Sequence, residues 1–552
     1  MTDYYLPRLR RELAEQAQAY LGVENVAVEN ANDKFDADLA IPVFAFAFQR
    51  QTAPNDLATE LAKSLNHEDI AKVEPSGGFV NIWLESSRLA AGVIEPGNKE
   101  SYGRHDFLSG QEVVIEHTDA NPFKELHIGH IYSNTIGECL SRLHEAAGAK
   151  VHRVSYHGDV GLHIAKSVWA IGNETDWQVD KLTDELGDIG TFYAIGSKAY
   201  EEDEQVATDI NELNKKIYDR TDETVNAIYD WGRKKSFAYF EEVYKQYDTP
   251  SPEEKFLESQ SGPVGLKMVQ ENIGRVFEES DGAVVFRDEE EHTRVFINSQ
   301  GLPTYEAKDL GLAKLKKDKY PEASTYLIIT ANEVNAYFNV VLKALGQIDA
   351  ELADKTKHLS HGLVKLPGGK MSSRTGDVVL AGELLENTLK LVSERSPEAA
   401  SANDNALAAI KYAFLKQNIG GDVVYSAKES VNLEGQTGPY VQYAGVRINS
   451  ILAKIQSGGT SQDYDWQAEQ PLLWLVAQYP EVTKIAAEEL APHGVSQYLY
   501  ELAREFNRYY ESTPVKDAPA DAQAARVQML SAVLNVLELG LSLLNISMPS
   551  RM

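Results

Sequence analysis

Apolar residues near the start of the chain recur at helical spacing and then at strand spacing. Leu57, Leu61 and Leu65 line one face of a predicted helix, and strands are predicted at 70–74 and 79–84, joined by the turn sequence Pro75-Ser76-Gly77-Gly78. The pattern therefore predicts a small α/β domain over residues 1–100. An amphipathic helix opens it, with one apolar face made by Leu6, Leu9, Leu13, Ala17, Tyr20 and Leu21.

Short β-branched runs alternate with helical patterns from about residue 105 to 390. The predicted strands lie at 113–115, 151–156, 283–286, 295–297 and 326–330. Such alternation is typical of a doubly wound, Rossmann-like parallel sheet, which binds ligands at the carboxyl ends of its strands. A helical, acidic stretch at about 170–275, with Glu201-Glu202-Asp203-Glu204 inside it, interrupts the alternation and is predicted to be an insertion.

The pattern turns almost wholly helical from about residue 395 onward. Apolar residues recur through 409–415, 472–476, 498–506 and 527–544, as in a helical bundle with short connections. The sequence thus predicts a multidomain α/β protein. It comprises an N-terminal α/β module at 1–100, a parallel-sheet domain at 101–394 with a helical insertion, and an all-α bundle at 395–552.

Composition and charge narrow the class of protein. The single cysteine, Cys139, allows no disulfide framework and no cysteine-based zinc site, and it favours a reducing, cytoplasmic setting. No signal segment opens the chain, and no uninterrupted apolar stretch approaches the ~20 residues that span a bilayer, so no membrane partner is expected. A net charge of -30 argues against indiscriminate nucleic-acid binding, and any RNA must be bound by a few placed basic and aromatic residues.

Two histidines follow the first predicted strand of the parallel sheet. The strand at 113–115 leads through a polar loop with Asn121 to His127-Ile128-Gly129-His130, which opens a helix. A helix N-terminus offers unpaired N–H groups to a triphosphate, and Gly129 lets a flat base approach the backbone. His127 and His130 lie three residues apart and could donate to phosphate oxygens. An HxGH sequence alone is more often simple polar capping.

A glycine-rich stretch near the end of the same domain strengthens the catalytic interpretation. Leu366-Pro367-Gly368-Gly369-Lys370-Met371-Ser372-Ser373-Arg374 carries a lysine and two hydroxyls. Lys370 could meet a pyrophosphate as a point charge, and Ser372 and Ser373 could donate to it.

Together the two stretches resemble the HIGH and KMSK signatures of class I aminoacyl-tRNA synthetases, in the order typical of that class. The residues around them resemble the arginyl-tRNA synthetases along the whole chain. The resemblance implies ATP-dependent attachment of L-arginine to its tRNA through an arginyl-adenylate, with ATP as substrate and with Mg²⁺. The sequence does not reveal the oligomeric state, and we expect a monomer. It implies catalytic roles for His127, Gly129, His130, Lys370, Ser372 and Ser373, and ATP binding by His127, Gly129, His130, Lys370 and Met371.

Recognition of arginine requires carboxylates that meet a planar guanidinium, because only a fixed bidentate geometry separates arginine from lysine. Glu116 ends the strand at 113–115, and Asp309 lies one helical turn beyond Tyr305. The resemblance implies that these three residues hold the guanidinium and that Asn121 holds the other end of the amino acid. After the strand at 326–330, Asn332-Glu333-Val334-Asn335 departs from the expected glutamine-rich and histidine-containing residues, and Glu333 is taken as a further contact. Leu162-His163 stands where polar residues are expected.

Residues for tRNA are implied at both ends of the chain. In the N-terminal module, Phe79 would stack on an unpaired base, and Asn81 would form a hydrogen bond with it. From the residues alone, Phe79 is better explained as a core residue. The segment Gly438-Pro439-Tyr440-Val441-Gln442-Tyr443-Ala444 resembles one that approaches the anticodon loop. The residues implied in the helical bundle are Tyr440, Tyr443, Tyr500, Arg504, Tyr509 and the terminal Met552.

Two alternatives stay open at this point. A class I synthetase for another amino acid would share both motifs, although Glu116 and Asp309 argue against an acidic substrate. A non-catalytic, tRNA-binding paralogue would keep the fold, but it would not need His127, His130 and Lys370 together.

Overall fold

The computed structural model describes residues 3–32, 34, 37–288, 291–367, 379–395, 401–455 and 464–552. The chain divides into two compact units. Unit 1 comprises Met1–Phe107, Ala399–Asn405 and Asn432–Met552, and unit 2 comprises Leu108–Glu398 and Ala406–Val431. The two ends of the chain thus belong to one unit, and the segment between them forms the other.

The N-terminal part of unit 1 is the predicted α/β module. Its four-stranded sheet has the order β1 (Glu29–Asn30), β2 (Leu39–Pro42), β4 (Phe79–Leu84), β3 (Ile70–Ser76), with every pairing antiparallel. The predicted turn is shorter than expected: β3 continues through Ser76, and only Gly77 and Gly78 turn, both with positive φ, because a two-residue hairpin turn requires that conformation. The elements are α1 (Tyr5–Leu21), β1 (Glu29–Asn30), β2 (Leu39–Pro42), α2 (Phe44–Arg50), α3 (Pro54–Ser64), β3 (Ile70–Ser76), β4 (Phe79–Leu84) and α4 (Ser86–Gly97).

Unit 2 is built on a five-stranded sheet whose pairings are all parallel. β5 (Glu112–Glu116) lies at its centre between β6 (Lys150–His157) and β11 (Ala323–Ala331), and β7 (Glu254–Leu257) and β12 (Thr356–His361) complete the order β12-β11-β5-β6-β7. The chain continues to β6 on one side of β5 and reaches β11 on the other. Ligand crevices open at such a reversal, at the carboxyl ends of the strands.

The remaining elements of unit 2 correct two sequence-based expectations. The helical stretch between sheet strands runs from Leu162 to Gln246 rather than over 170–275, because the four-residue β7 returns to the sheet and is too short to show an alternating pattern. The predicted strands at 283–286 and 295–297 do not resume the parallel sheet. With β8 (Glu278–Ser280), the strands β9 (Ala283–Phe286) and β10 (Arg294–Ile297) form a separate antiparallel sheet of order β10-β9-β8. A tight turn at Asp281-Gly282 pairs β8 with β9 locally.

In chain order, the other elements of unit 2 are α5 (Ile128–Ala146), α6 (Leu162–Glu174), a 3₁₀ turn (Val179–Lys181), α7 (Ile189–Glu202), α8 (Glu204–Asp219), α9 (Glu223–Gln246), α10 (Glu258–Gln270), β8 (Glu278–Ser280), β9 (Ala283–Phe286), β10 (Arg294–Ile297), α11 (Tyr305–Lys319), a 3₁₀ turn (Asn332–Val334), α12 (Asn335–Ile348), α13 (Ala350–Lys355), β13 (Val364–Lys365), α14 (Ala381–Arg395), α15 (Ala402–Leu415), β14 (Val423–Val424) and α16 (Ala427–Ser430). The first residues of α15 fall in unit 1.

The described residues of the C-terminal part of unit 1 form four long helices, as the helical periodicity predicts: α17 (Gly438–Leu452), α18 (Gln470–Glu488), α19 (Pro492–Ser512) and α20 (Ala520–Leu543). They pack on the N-terminal module of the same unit. Tyr102 Oη donates to the carbonyl of Val476 (2.9 Å), and Asn535 Nδ2 donates to that of Gly97 (2.7 Å). By length and composition α20 could cross a membrane, but most of its apolar window is buried in this packing, as in a core helix.

Candidate active site

The N-terminus of α5 holds both predicted histidines. His127 is the N-cap residue, and its Nδ1 accepts from the N–H of Gly129 (3.1 Å). His130 Nδ1 accepts in return from the N–H of His127 (3.1 Å), so the pair forms a capping box. The two rings lie 3.8 Å apart between centroids. The helix start therefore fixes both imidazoles side by side.

Both imidazoles are neutral in this environment. Burial lowers the pKa of His127, and the charge of Lys124 lowers it further. Burial also holds the pKa of His130 well below its usual range, with smaller contributions from His127, Lys124 and His157. Since each Nδ1 accepts a hydrogen bond, the proton of each ring lies on Nε2. Each ring can thus donate from Nε2 without carrying charge.

Gly129 leaves open the space beside these rings. A Cβ at position 129 would stand 3.0 Å from Cε1 and 3.1 Å from Nδ1 of His127, so an added side chain would press on that imidazole. The absence of a side chain keeps the cap geometry and leaves the first turn of α5 accessible to a flat ligand.

The chain returns to this helix start after its glycine-rich segment. Lys370, Met371, Ser372 and Ser373 lie outside the described residues, and their predicted roles stay predictions. Upstream, β13 pairs in parallel with β14. Downstream, the carbonyl of Val379 accepts from Ile128 (2.9 Å) and Ala381 donates to the carbonyl of Leu126 (2.8 Å). Val379 and Ala381 therefore lie beside the start of α5.

Glu116 lies at the carboxyl end of β5 and is almost fully buried. Its Oε2 accepts from Lys316 Nζ at 2.9 Å, and the two side chains are 3% and 1% exposed. Lys316 belongs to α11, the helix that also carries Tyr305 and Asp309. The ion pair joins the central strand to that helix, and the sequence analysis did not identify Lys316.

Two further carboxylates lie beside this pair. Burial raises the pKa of Asp309 to about 7, with a further contribution from Glu116 that outweighs the Lys316 charge; the hydroxyl of Tyr337, which donates to Asp309, acts in the opposite direction. Burial also raises the pKa of Asp119 well above its usual value, and the charges of Glu116 and Asp309 add to that effect. Asp119 Oδ1 accepts from the N–H of Tyr156 (2.8 Å).

The site thus contains three acidic side chains, Glu116, Asp119 and Asp309, and one buried lysine that pairs with the first of them. Such an arrangement favours a cationic ligand, which would stabilise the two remaining carboxylates in their ionised form. Sequence reasoning missed Asp119 and Tyr337. The position of Asp119 in the loop that leaves β5 could have indicated it, because ligands gather at carboxyl strand ends.

Asn121 and Tyr305 line one cavity beside these acids. Asn121 Oδ1 accepts from the N–H of Gly158 (3.1 Å), which fixes its amide. Tyr305 is 67% exposed at the first turn of α11. Glu333 is exposed in the 3₁₀ turn after β11; one turn further on, Tyr337 is the residue that reaches Asp309.

Phe79 and Asn81, predicted for tRNA, differ in exposure. Phe79 begins β4, is partly exposed, and packs edge-to-face on Phe44 at 5.1 Å. Asn81 lies in the middle of the same strand and is only 1% exposed. Its Oδ1 has no hydrogen-bond partner among the described residues. The amide of Asn81 is thus not presented on the surface.

Most of the residues predicted in the helical bundle gather on α17 and α19. The rings of Tyr440 and Tyr500 lie 5.5 Å apart, and Arg504 extends over the ring of Tyr500 at 6.0 Å. Arg447, which the sequence analysis did not select, donates to the hydroxyl of Tyr443 (2.7 Å). These residues form a partly exposed aromatic and basic patch.

Tyr509, which the resemblance implied as a tRNA contact, does not belong to this patch. It is 6% exposed, and its hydroxyl donates to the buried Glu469 (2.8 Å), because the apolar stripe of α19 turns it inward. Met552 lies partly exposed at the end of the chain. Within the described residues, no group of three His, Cys, Asp or Glu side chains could hold a metal ion.

Comparison with known proteins identifies three matching families. The family described as "tRNA synthetases class I (R), catalytic domain" matches residues 98–426. The arginyl tRNA synthetase N-terminal domain matches residues 7–84, and the DALR anticodon binding domain matches 441–552.

Full-length relatives agree with these matches. Arginine--tRNA ligases of Treponema denticola and of Lactobacillus delbrueckii subsp. bulgaricus are each 29% identical, over 94% and 96% of both chains respectively. The solved arginyl-tRNA synthetase of Thermus thermophilus is 26% identical, with a TM-score of 0.81 over 99% of this chain and 100% of that one.

Proposed function

The chain belongs to the class I tRNA synthetases of the arginine type, and on this premise we propose that it attaches L-arginine to its tRNA at the expense of ATP. The observation that carries the proposal is the buried acidic group of Glu116, Asp119 and Asp309 beside the histidine-capped N-terminus of α5. The first feature fits a guanidinium, and the second fits a triphosphate.

The acidic group would select arginine. Glu116 is held in place by Lys316, whereas Asp119 and Asp309 have raised pKa values because of burial and mutual repulsion. A bound guanidinium, always charged and planar, would neutralise them through paired hydrogen bonds. A neutral side chain would leave buried acids without a partner, and such misfits can be rejected by a factor of ~10⁴ to 10⁵. Asn121 and Tyr305, on the neighbouring cavity, would hold the rest of the amino acid.

The reaction would proceed in two displacements. In the first, an oxygen of the arginine carboxylate attacks the α-phosphorus of ATP, and the bond to the β-phosphate oxygen breaks to release pyrophosphate. In the second, the 2′-hydroxyl of the terminal tRNA adenosine attacks the arginyl carbonyl, loses its proton, and releases AMP. Positioning and charge stabilisation account for most of the acceleration in such transfers.

The start of α5 would stabilise the charge that develops on the phosphates. His127 and His130 would donate from Nε2 as neutral imidazoles, beside the positive end of the helix dipole. Gly129 would let the adenine approach the backbone. Lys370, Met371, Ser372 and Ser373 would act on the pyrophosphate, and Mg²⁺ would arrive bound to ATP and neutralise its phosphate oxygens.

The tRNA would also be bound by residues outside the active site. Tyr440, Tyr443, Tyr500 and Arg504 offer stacking faces and positive charge to the unpaired bases of an anticodon loop. Phe79 would serve an unpaired base at the N-terminal module. We place the enzyme in the cytoplasm and propose that it acts as a monomer.

The test is aminoacylation of total tRNA with each labelled amino acid in turn, in the presence of ATP and Mg²⁺. Charging by arginine alone supports the proposal, and charging by another amino acid overturns the role of the acidic group. Tight tRNA binding without any charging would show a non-catalytic protein. Asp309→Asn provides a matched variant that should lose arginine charging, whereas Asp318→Asn on the exposed side of the same helix should keep it.

A further inference from the structure

Tyr337 joins the two helices that border the acidic group. It lies in the first turn of α12, and its hydroxyl donates to Oδ2 of Asp309 on α11. Within the described residues the Asp309 carboxyl forms no other hydrogen bond or ion pair, and the side chain is only partly buried. One oxygen of Asp309 is therefore held by Tyr337, and the other is left for a ligand.

The ring of Tyr337 is held by its own neighbours. It packs edge-to-face on Phe338 at 5.3 Å between centroids, and the guanidinium carbon of Arg294 lies 5.9 Å from its centroid. Arg294 is in turn held by Glu306, whose Oε1 accepts from Nη1 at 3.4 Å. These contacts restrict the ring, so the direction of the hydroxyl toward Asp309 is set before any ligand binds.

The hydroxyl of Tyr337 stays protonated and so remains a donor. Burial raises its pKa well above the usual value, and the charges of Asp309, Glu306 and Tyr156 add to this effect. The bond in turn lowers the pKa of Asp309, against burial, which raises it to about 7 overall. Tyr337 thus favours the ionised form of a carboxyl whose burial favours the protonated form. The other titratable groups that face this carboxyl are Glu116, Asp119, Tyr156, Glu258 and Lys316.

The protonation state of Asp309 decides which ligand fits. An ionised carboxylate only accepts hydrogen bonds, so it meets the N–H donors of a guanidinium but repels the carbonyl oxygen of a urea. A protonated carboxyl offers one donor, and that donor can meet a urea oxygen. Citrulline, the urea isostere of arginine, differs from arginine at this one group. Charge at Asp309 therefore separates the two amino acids, since their shape does not.

We propose that the Tyr337 hydroxyl fixes Asp309 as an acceptor that only a cation can meet, and so makes the site reject neutral isosteres of arginine. Tyr337 is thus a positioning residue, because it acts through Asp309 and not on the reacting atoms. It follows residues 332–335, where the sequence departs from the expected residues, and it supplies a contact that the motifs do not indicate. The proposal rests on the function proposed above, because it takes arginine as the amino acid.

The experiment measures binding of arginine and of citrulline to the full chain by titration calorimetry from pH 6 to pH 9. Tyr337→Phe removes the hydroxyl and keeps the packing of the ring. Tyr320→Phe is the matched control, because the hydroxyl of Tyr320 also donates to a carboxylate, that of Glu253 at 3.0 Å, at the other end of α11. Thermal unfolding shows that each variant is folded.

In Tyr337→Phe the ratio of the affinities for arginine and citrulline should fall about tenfold, and the midpoint of the pH dependence of arginine binding should rise by about one pH unit, because a tenfold loss of preference for the ionised carboxylate equals one unit. Tyr320→Phe should resemble the wild type. An unchanged ratio and midpoint overturn the proposal, as does an equal change in both variants.

Tighter arginine binding by Tyr337→Phe also overturns the proposal, since it would show that the hydroxyl competes with the guanidinium for Asp309. Charging of arginine by the wild type is measured alongside. If the wild type charges arginine, these outcomes concern Tyr337 alone. A wild type that neither binds nor charges arginine overturns the proposed function and this inference with it.

Discussion

Lys316 Nζ lies 2.9 Å from Glu116 Oε2, in an ion pair whose partners are 200 residues apart in the chain and almost completely buried. This contact ties α11 to the end of β5. It also sets the charge of the site, because it neutralises one of three clustered acids and leaves Asp119 and Asp309 for a ligand. We therefore propose that Lys316 is a positioning residue for arginine recognition.

Lys316→Met should raise the KM for arginine at least tenfold. Loss of one partner leaves a buried charge uncompensated, which costs about 3–5 kcal/mol in such pairs. The Glu116 carboxylate would then shift from its present position and contact the guanidinium from a displaced one. Steady-state kinetics would measure the effect, with the KM for ATP as internal reference. Lys316→Arg should restore most of the activity. An unchanged KM for arginine in a folded Lys316→Met chain would limit the pair to a purely structural role.

Arginine binding should depend on pH through Asp309. Its raised pKa, about 7, means that the carboxyl is protonated below neutral pH and must lose its proton to meet a guanidinium. Groups that face it are Glu116, Asp119, Tyr156, Glu258, Lys316 and Tyr337. Affinity for arginine should therefore fall up to about tenfold per pH unit below 7. Titration calorimetry in two buffers should detect proton release at pH 6 and almost none at pH 9; no release at pH 6 would contradict this assignment.

The same carboxyl should lower stability when arginine is absent. Folding disfavours its ionised form, because its folded-state pKa lies above the ordinary 3.8. The free energy of unfolding should thus fall as pH rises from about 4 through 7, and Asp309→Asn, which does not titrate, should avoid that loss. We expect the variant to be more stable by roughly 1–3 kcal/mol at pH 8 and nearly equal at pH 4. Thermal unfolding across this range is the measurement, with Asp318→Asn as control.

Substitution of His127 can separate capping from catalysis. His127→Asn keeps an oxygen that can accept from the N–H of Gly129, as Nδ1 does now, but it removes the Nε2 donor. It should slow pyrophosphate exchange by about 10²-fold or more without changing the Tm. His127→Ala should lose the same rate and also about 1 kcal/mol of stability. Wild-type exchange by His127→Asn would remove the ring from the mechanism.

Arg447 should contribute to tRNA affinity without affecting chemistry. Its guanidinium donates to Tyr443 and Asn507 and lies over the rings of Tyr443 and Tyr510. Arg447→Met would remove the guanidinium that connects these side chains, and we expect roughly tenfold weaker tRNA binding. The KM for arginine at saturating tRNA should stay unchanged. Arg508→Met, at a side chain that is 72% exposed, is the control, and equal losses in both variants would contradict a specific contact.

Local patterns predicted the elements of the fold well where periodicity was long. The strand before Asn121, the helix after His127, the hairpin at 70–84 and the C-terminal helices were all predicted, because each depends on spacing within a few residues. The strands β9 and β10 were wrongly assigned to the parallel sheet, since four-residue strands show no face preference, and β8 was not predicted.

The site was predictable only in part for a related reason. Glu116, Asp309, His127 and His130 follow motifs, whereas the contact of Tyr337 with Asp309 and that of Lys316 with Glu116 depend on how distant elements pack. A residue such as Asp119 acquires its raised pKa only after burial brings other acids near it. No spacing rule within the sequence predicts the electrostatic effect of these acids on one another.

The union of both chain ends in one unit has a consequence for synthesis. Asn535 bonds to the carbonyl of Gly97, a contact between residues 438 positions apart, and α4 buries Leu89 and Val93 in the finished protein. On the ribosome, the helices α18 and α20 that pack on α4 emerge last. The apolar face of α4 therefore has no packing partner while the entire intervening unit is translated. The central unit can fold first as the chain emerges, and the nascent N-terminal module is the segment that most needs protection from premature aggregation.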